Sequence, residues 1–312
     1  VAREDRLVPT GRFAPSPTAP LHLGNLRTAL VAWLFARTDG SRFLLRVEDL
    51  DRQACRPEHE AAHRADLVAL GLDWDDPVVR QSERFDRYRD VIERLDRQDL
   101  TYPCYCTRRE VLEAAAAPHQ HRAEGSYPGT CRDLTAAEQS AHAASGRPAA
   151  LRVRAEGATE GFDDVLHGRQ EGAVDDFVIC RNDGTPAYNL AVVVDDADAG
   201  VRQVVRGDDL LAGTPRQVLL GHWLRFAIPR YAHVPLVLGP DRERLAKRHG
   251  AVTLADRLRA GDTAAGVRSL LATSLGLAAP GEPVGPDDLI ARFDPAALPR
   301  EPWVLPMMAD EA

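Results

Sequence analysis

With 312 residues the chain has room for about two domains and a sizeable core, and 44% hydrophobic with 28% charged residues is an ordinary globular balance. No apolar run approaches the ~20 residues of a membrane helix, and the charged opening Val1-Ala2-Arg3-Glu4-Asp5-Arg6 lacks the apolar stretch of a secretory signal. A cytoplasmic location is therefore expected, with no membrane partner. A formal net charge of −8 argues against a broad clamp on phosphate backbone.

The apolar segment from Leu7 to Phe13 leads into a Pro/Ser-rich stretch, 14–20, followed by Leu26–Phe35 of helical composition. Arg42–Val47 is strand-like, with aromatic and β-branched residues after Gly40. Residues 58–70 and 83–98 read as helices; the second carries Phe85, Tyr88, Ile92 and Leu95 at helical spacing. Residues 103–173, rich in Cys, Ala, Gly and Pro, read as an insertion. Strand-like and helix-like pieces then alternate: strands at Asp176–Cys180 and Val201–Val205, a helix from Thr214 to Leu224 with Pro215 at its start, a strand at Tyr231–Val237. After 250 the chain reads as helical and ends in a Pro-rich tail at 280–306. Such alternation predicts an α/β fold with a mostly parallel sheet covered by helices. The expected division is two catalytic halves, 6–102 and 174–240, an insertion at 103–173, and a final region at 241–312.

The loop from Arg12 to Asn25 sits between the first strand and the first helix, where an open parallel sheet binds ligands. Gly24 allows close backbone approach, the helix start offers N–H groups to phosphate, and His22 can donate to a phosphate or ribose oxygen. A second loop, 239–250, holds Arg242, Arg244, Lys247 and Arg248 in an otherwise acidic chain. Arginine suits a substrate carboxylate because its fork binds both oxygens, and a carboxylate suits an ammonium. Arg46-Val47-Glu48-Asp49-Leu50-Asp51 ends a strand with acids where a substrate should lie.

Arg12 to Leu30 resembles, almost residue for residue, the first signature of class I aminoacyl-tRNA synthetases in its glutamyl and glutaminyl form. His22-Leu23-Gly24-Asn25 stands at that family's His-x-Gly-x motif. Arg244-Leu245-Ala246-Lys247-Arg248 resembles the Lys-x-Ser-Lys-Arg loop, with Arg244 for the first lysine and Ala246 for the serine. The resemblance implies a Rossmann-type parallel sheet. It also implies ATP bound with Mg²⁺ by His22, Gly24, Asn25 and Lys247, with His22 and Lys247 as the catalytic pair. For glutamate it implies Arg12, Ala14, Ser16, Glu48, Tyr188 and Arg206, with Glu48 on the amino group and Arg206 on the side-chain carboxylate. A site for glutamine would not set two arginines against a neutral amide, so glutamate is the expected substrate.

Five cysteines without an export signal argue against a disulfide framework. Cys104, Cys106 and Cys131 cluster in 28 residues and supply three thiolates suited to tetrahedral zinc; from spacing alone the fourth ligand is His119 or His121. Tyr127-Pro128-Gly129-Thr130-Cys131 resembles the Tyr-x-x-x-Cys of the glutamyl-queuosine tRNA(Asp) synthetases, which implies Tyr127 and a structural Zn²⁺. Cys55 and Cys180 read as bystanders. Only 64 residues follow Arg248, too few and too Pro-rich for a complete anticodon-binding domain. A monomer is expected, and the resemblance to these truncated relatives implies a ligase. It would make glutamyl-adenylate without tRNA and pass glutamate to queuosine in the anticodon loop of tRNA(Asp).

Overall fold

The computed structural model describes residues 10–115, 127–245, 247–250 and 252–306. Strand β1 (Thr10–Phe13) feeds helix α1 (Leu23–Thr38), followed by β2 (Arg42–Val47), α2 (Pro57–Ala69), β3 (Asp75–Arg80) and α3 (Phe85–Asp96). Next come β4 (Thr101–Cys104), α4 (Arg108–Ala115), α5 (Ala136–Ala144), β5 (Ala150–Val153), β6 (Thr159–Asp164), β7 (Gly168–Ala173) and β8 (Val178–Cys180). The chain continues through α6 (Tyr188–Asp198), β9 (Val201–Gly207), α7 (Thr214–Leu224), β10 (Arg230–Val234) and β11 (Val237–Leu238). It closes with α8 (Leu254–Arg259), α9 (Ala264–Ser274), α10 (Pro286–Arg292) and β12 (Trp303–Val304). Among the described residues no helix is long and apolar enough to cross a membrane.

The main sheet runs β3-β2-β1-β9-β10-β6-β7. All its pairings are parallel except β6 with β7. Strand order reverses between β1 and β9, so the crevice at their C-terminal ends is where this sheet can admit a ligand. Helix α1 is apolar on most sides, from Leu26 to Ala36, and is accordingly buried. It packs so closely on β1 that a Cβ at Gly11 would stand 3.2 Å from the Ala36 Cβ. Arg27, 1% exposed, clamps α1 to α9 through the Ser274 hydroxyl (3.0 Å) and to the segment after β10 through the Pro235 carbonyl (3.0 Å).

Strand alternation then sorts the sheet's two faces. Phe13, Phe43, Leu45, Val205, Ala232 and Val234 join the cluster around α1. On the opposite face Arg12 pairs with Leu44 and Val204, and Arg206 pairs with His233. That register sets Arg12, Arg46, Arg206 and His233 on one face at the strands' C-terminal ends, under α6.

One feature differs from the sequence expectation. Residues 159–173, placed in the insertion by composition, form β6 and β7 in the main sheet, because Tyr231 of β10 pairs with Asp164 at the end of β6. A separate three-stranded sheet, β4-β5-β8, takes its middle strand from the 103–173 stretch, while its outer strands reach beyond that stretch to Thr101 and to Val178–Cys180. The Pro-rich tail is packed structure: Pro286 opens α10, β12 pairs parallel with β11, and Leu289, Phe293, Leu298 and Leu305 enter the main core.

Phe293 meets Phe35 of α1 edge-on with ring centroids 5.2 Å apart. Phe293→Ala is expected to lower unfolding free energy by about 3–5 kcal/mol, read from the urea midpoint of a single transition. A loss below about 1 kcal/mol would show that the tail is not part of the cooperative unit.

Candidate active site

The crevice at the strand reversal is a cleft of about 640 Å³. It gathers Arg12, Ala14 and Ser16 from the end of β1 and the following loop, and His22, Gly24 and Asn25 from the start of α1. Glu48 after β2, Tyr188 at the head of α6, and Arg206 near the end of β9 complete the set. All the residues expected from the first loop and the amino-acid pocket therefore share one cleft. Arg244 and Leu245 line its other side, and Lys247 opens a short turn just beyond them. Ala246, His119 and His121 lie outside the described residues.

His22 is the N-cap of α1, and its geometry decides what its ring can do. Its Nδ1 accepts from the Asn25 backbone N–H (3.2 Å), while the Asn25 side chain accepts from the His22 backbone N–H (3.1 Å). An accepting Nδ1 carries no proton, so the neutral ring holds its proton on Nε2. Burial, then the positive charge of Arg244, lowers the His22 pKa against the opposing pull of Asp209, which favours that neutral form. Gly24 makes room for the ring: a Cβ there would stand 2.9 Å from it. Arg244 in turn pairs with Asp209, tying the second loop to the segment after β9.

A buried charge network floors the amino-acid pocket. Asp196 Oδ1 accepts from Arg46 Nη1 (2.6 Å) and Arg12 Nε (3.3 Å), and Arg46 Nη2 reaches Glu48 Oε1 at 3.2 Å. The two arginine charges hold the Asp196 carboxyl below the usual range against the cost of its burial. Burial has the upper hand at Glu48, whose pKa is raised despite Arg46 and Arg12. Arg206, 6% exposed, differs from both: it donates to His233 Nε2 (3.0 Å), Gln217 Oε1 (2.8 Å) and Thr214 Oγ1 (2.8 Å). Those partners carry no carboxylate, and among the described residues Arg206 makes no ion pair within 4.0 Å; the nearest acid in its network, Asp164, meets it only through His233. Asp196, His233 and Gln217 were not singled out from sequence; a charged pair ending the apolar run Val192–Val194 and a histidine inside an apolar strand were the available signals.

Ser16, Glu48 and Tyr188 also line a second cavity of about 900 Å³, which extends to Cys104 and Cys106 and is edged by Arg108, Arg147, Arg152 and Arg181. There the sulfurs of Cys104, Cys106 and Cys131 lie within 4.8 Å of one another. The Tyr127 hydroxyl stands 3.3 Å from Cys104 Sγ and 3.8 Å from Cys106 Sγ. A tetrahedral ion with metal–sulfur bonds of about 2.3 Å sets its ligand atoms about 3.7 Å apart, so these four atoms fit one. Burial, the Cys131 contact and the Cys104 charge push the Cys106 thiol up to about 12. A bound cation would relieve that crowding of thiolates.

A mostly parallel sheet whose reversal point holds a helix start, a buried arginine held by neutral groups and an acid at a strand end has the makings of a nucleotide-dependent ligase. Residues 8–272 match the model of the tRNA synthetases class I (E and Q), catalytic domain, and the chain belongs to that family of ligases. A glutamyl-Q tRNA(Asp) synthetase of Nocardia farcinica is 62% identical over 95% of this chain and 92% of its own length. That of Symbiobacterium thermophilum is 50% identical over 95% of each. Among solved structures, a glutamate tRNA ligase of Elizabethkingia meningosepticum in complex with its amino acid superposes with a TM-score of 0.82 at 27% identity. The match covers 96% of this chain and 67% of that one.

His22→Asn separates the two jobs of the histidine. The amide oxygen can still cap α1, but nothing replaces the Nε2 donor. The melting temperature is expected to stay within about 3 °C, while glutamate-dependent ATP–pyrophosphate exchange falls about 100-fold or more. Equal exchange in the variant would remove His22 from the chemistry.

Proposed function

We propose that the chain activates glutamate with ATP, without tRNA, and transfers the glutamyl group to queuosine in the anticodon loop of tRNA(Asp). The observation that carries this reading is the meeting of Arg12, Glu48, Tyr188 and Arg206 with the His22 helix start in one cleft. The near full-length likeness to the glutamyl-Q enzymes supports the choice of acceptor.

In this scheme Arg206 receives the glutamate side-chain carboxylate, because its buried charge is held by neutral groups. Glu48 takes the ammonium, and Tyr188 packs beside the substrate. Ala14 and Ser16 line the amino-acid side of the first loop, and Arg12, half engaged by Asp196, adds positive charge there. The glutamate carboxylate oxygen attacks the α-phosphorus, the bond to the bridging oxygen breaks, and pyrophosphate leaves. Positioning and charge stabilisation supply the acceleration. His22 Nε2–H and Lys247 stabilise the phosphates, and Gly24 and Asn25 let the α1 start approach the nucleotide. Mg²⁺ accompanying ATP would neutralise the polyphosphate. Queuosine then displaces AMP from the adenylate, reaching it through the second cavity, whose arginines face an anionic loop.

Cys104, Cys106, Tyr127 and Cys131 would hold a structural Zn²⁺ beside that route, with no open position for water. The inserted unit built on the β4-β5-β8 sheet would present it, and the catalytic halves would carry the cleft.

Labelled glutamate is expected to attach to queuosine-containing tRNA(Asp) and not to tRNA(Glu), with ATP–pyrophosphate exchange proceeding before any tRNA is added. Charging of tRNA(Glu) alone would replace this reading with that of a minimal glutamyl enzyme, and no exchange at all with that of a binding module. Mass spectrometry is expected to find zinc on the purified chain. Tyr127→Phe should bind it on the order of 100-fold more weakly, one ligand's share of a structural site's affinity; undiminished zinc would strike the tyrosine from the ligand set.

A further inference from the structure

An arginine meant to capture a substrate carboxylate must reach the site with its charge unspent and its fork held at the right angle. Arg206 meets the first condition through neutral partners, which leaves open what holds the fork. Three of its five N–H donors are taken, and the one nearest the backbone, Nε–H, goes to His233 Nε2 at 3.0 Å. His233 is fully buried, and its ring stacks on Tyr231. A histidine nitrogen accepts from an arginine only if it is bare, so the ring proton must sit on Nδ1.

Asp164 enforces that arrangement. Its Oδ2 lies 2.6 Å from His233 Nδ1 and also accepts the His233 backbone N–H at 3.1 Å. Its Oδ1 accepts the backbone N–H groups of Leu166 (2.9 Å) and His167 (3.0 Å). A carboxylate facing four N–H donors stays ionised, and the Nδ1 proton has an acceptor that cannot donate back. The other polar neighbours are compatible with it. The Thr214 hydroxyl, 3.2 Å from Nε2, has one proton to share between that nitrogen and the Leu210 carbonyl, also at 3.2 Å, while the His167 ring meets the His233 carbonyl, not its ring. The sheet supplies the geometry, since β9 and β10 pair with Arg206 directly beside His233.

We propose that His233, its tautomer set by Asp164, is a positioning and specificity residue: its bare Nε2 fixes the Arg206 fork so that the outer N–H groups face a substrate side-chain carboxylate. Neutral His233 holds the guanidinium without neutralising it; an acid in its place would consume the charge meant for the substrate. The arrangement offers only N–H donors to the end of the substrate side chain; a carboxylate accepts from them with both oxygens, whereas an amide accepts with one and turns its own N–H groups against them. This inference rests on the proposed glutamate site.

Two substitutions distinguish positioning from structural support. His233→Gln can place its amide oxygen where Nε2 stood, serving Arg206 while abandoning Asp164. His233→Asn can keep the bond to Asp164 and cannot reach Arg206. Exchange assays on the full chain should give the Asn variant a glutamate KM raised about 10- to 100-fold, with the KM for ATP within about twofold of wild type. The Gln variant should stay within about threefold for both, and discrimination against glutamine should fall only in the Asn variant. The reverse order, Asn tolerated and Gln impaired, would mark a purely structural role and overturn the proposal, as would unchanged glutamate KM in both. Nitrogen NMR of the wild-type ring decides independently of whether the variants fold: a proton on Nδ1 and a bare Nε2 at neutral pH are expected, and a protonated Nε2 refutes the inference. Wild-type chain without glutamate-dependent exchange would overturn the proposed function itself, an outcome separable from normal wild-type exchange with unaffected variants.

Discussion

Asp196 holds the site together. The parallel register of β1 and β2 sets Arg12 and Arg46 on the same sheet face, and two guanidinium groups that close, out of water, repel strongly. Asp196 Oδ1 accepts from both, which lets the strands pair as they do. Its neighbour Asp195 gathers Arg84, Tyr88 and Gln81, so α6 is tied to the sheet and to α3 by charge and hydrogen bonds as well as by apolar contact. Such a network is unforgiving, because removal of one partner strands the others: a buried pair so broken costs about 3–5 kcal/mol. That cost gives the network its use, since it holds the floor of the cleft to one arrangement.

The network also explains why Arg206 is free to act. Charges along the β1–β2 side are balanced within the protein, with Arg46 shared between Asp196 and Glu48. One strand further on, the acceptors change from carboxylates to an imidazole, an amide and a hydroxyl. A single sheet edge thus passes from internally neutralised cations to a cation awaiting an anion. On the nucleotide side stability and chemistry meet in one ring: His22 caps α1 through Nδ1, and the same bond leaves its proton on Nε2. The helix it caps is held still by the Arg27 clamp, so the donor has a fixed address.

Much of this was legible in the chain because it is local. The Pro-stiffened loop with His22 and Gly24, the acidic strand end at Glu48, and the Thr214–Leu224 helix are written in contiguous residues, and the fold has those segments where periodicity and punctuation put them. The cluster of Cys104, Cys106 and Cys131 was legible from spacing, whereas Tyr127 came only from the family resemblance, spacing having pointed to His119 or His121. The edge hairpin β6–β7 was not, since Thr159–Ala173 is short, polar and Gly-containing and becomes sheet only by pairing with β10. How the Pro-rich tail packs was not legible either; Pro286 sits at a helix start, where its missing N–H costs nothing.

By itself the sequence determined the α/β alternation and the two loops at strand ends, because motif spacing and strand–helix punctuation act over a few residues. Tertiary structure alone decided which cations are neutralised. Asp196 lies 184 positions from Arg12, and Asp164 lies 69 from His233. A guanidinium's effective charge depends on what lies within about 4 Å, and chain folding, not chain order, chooses those neighbours.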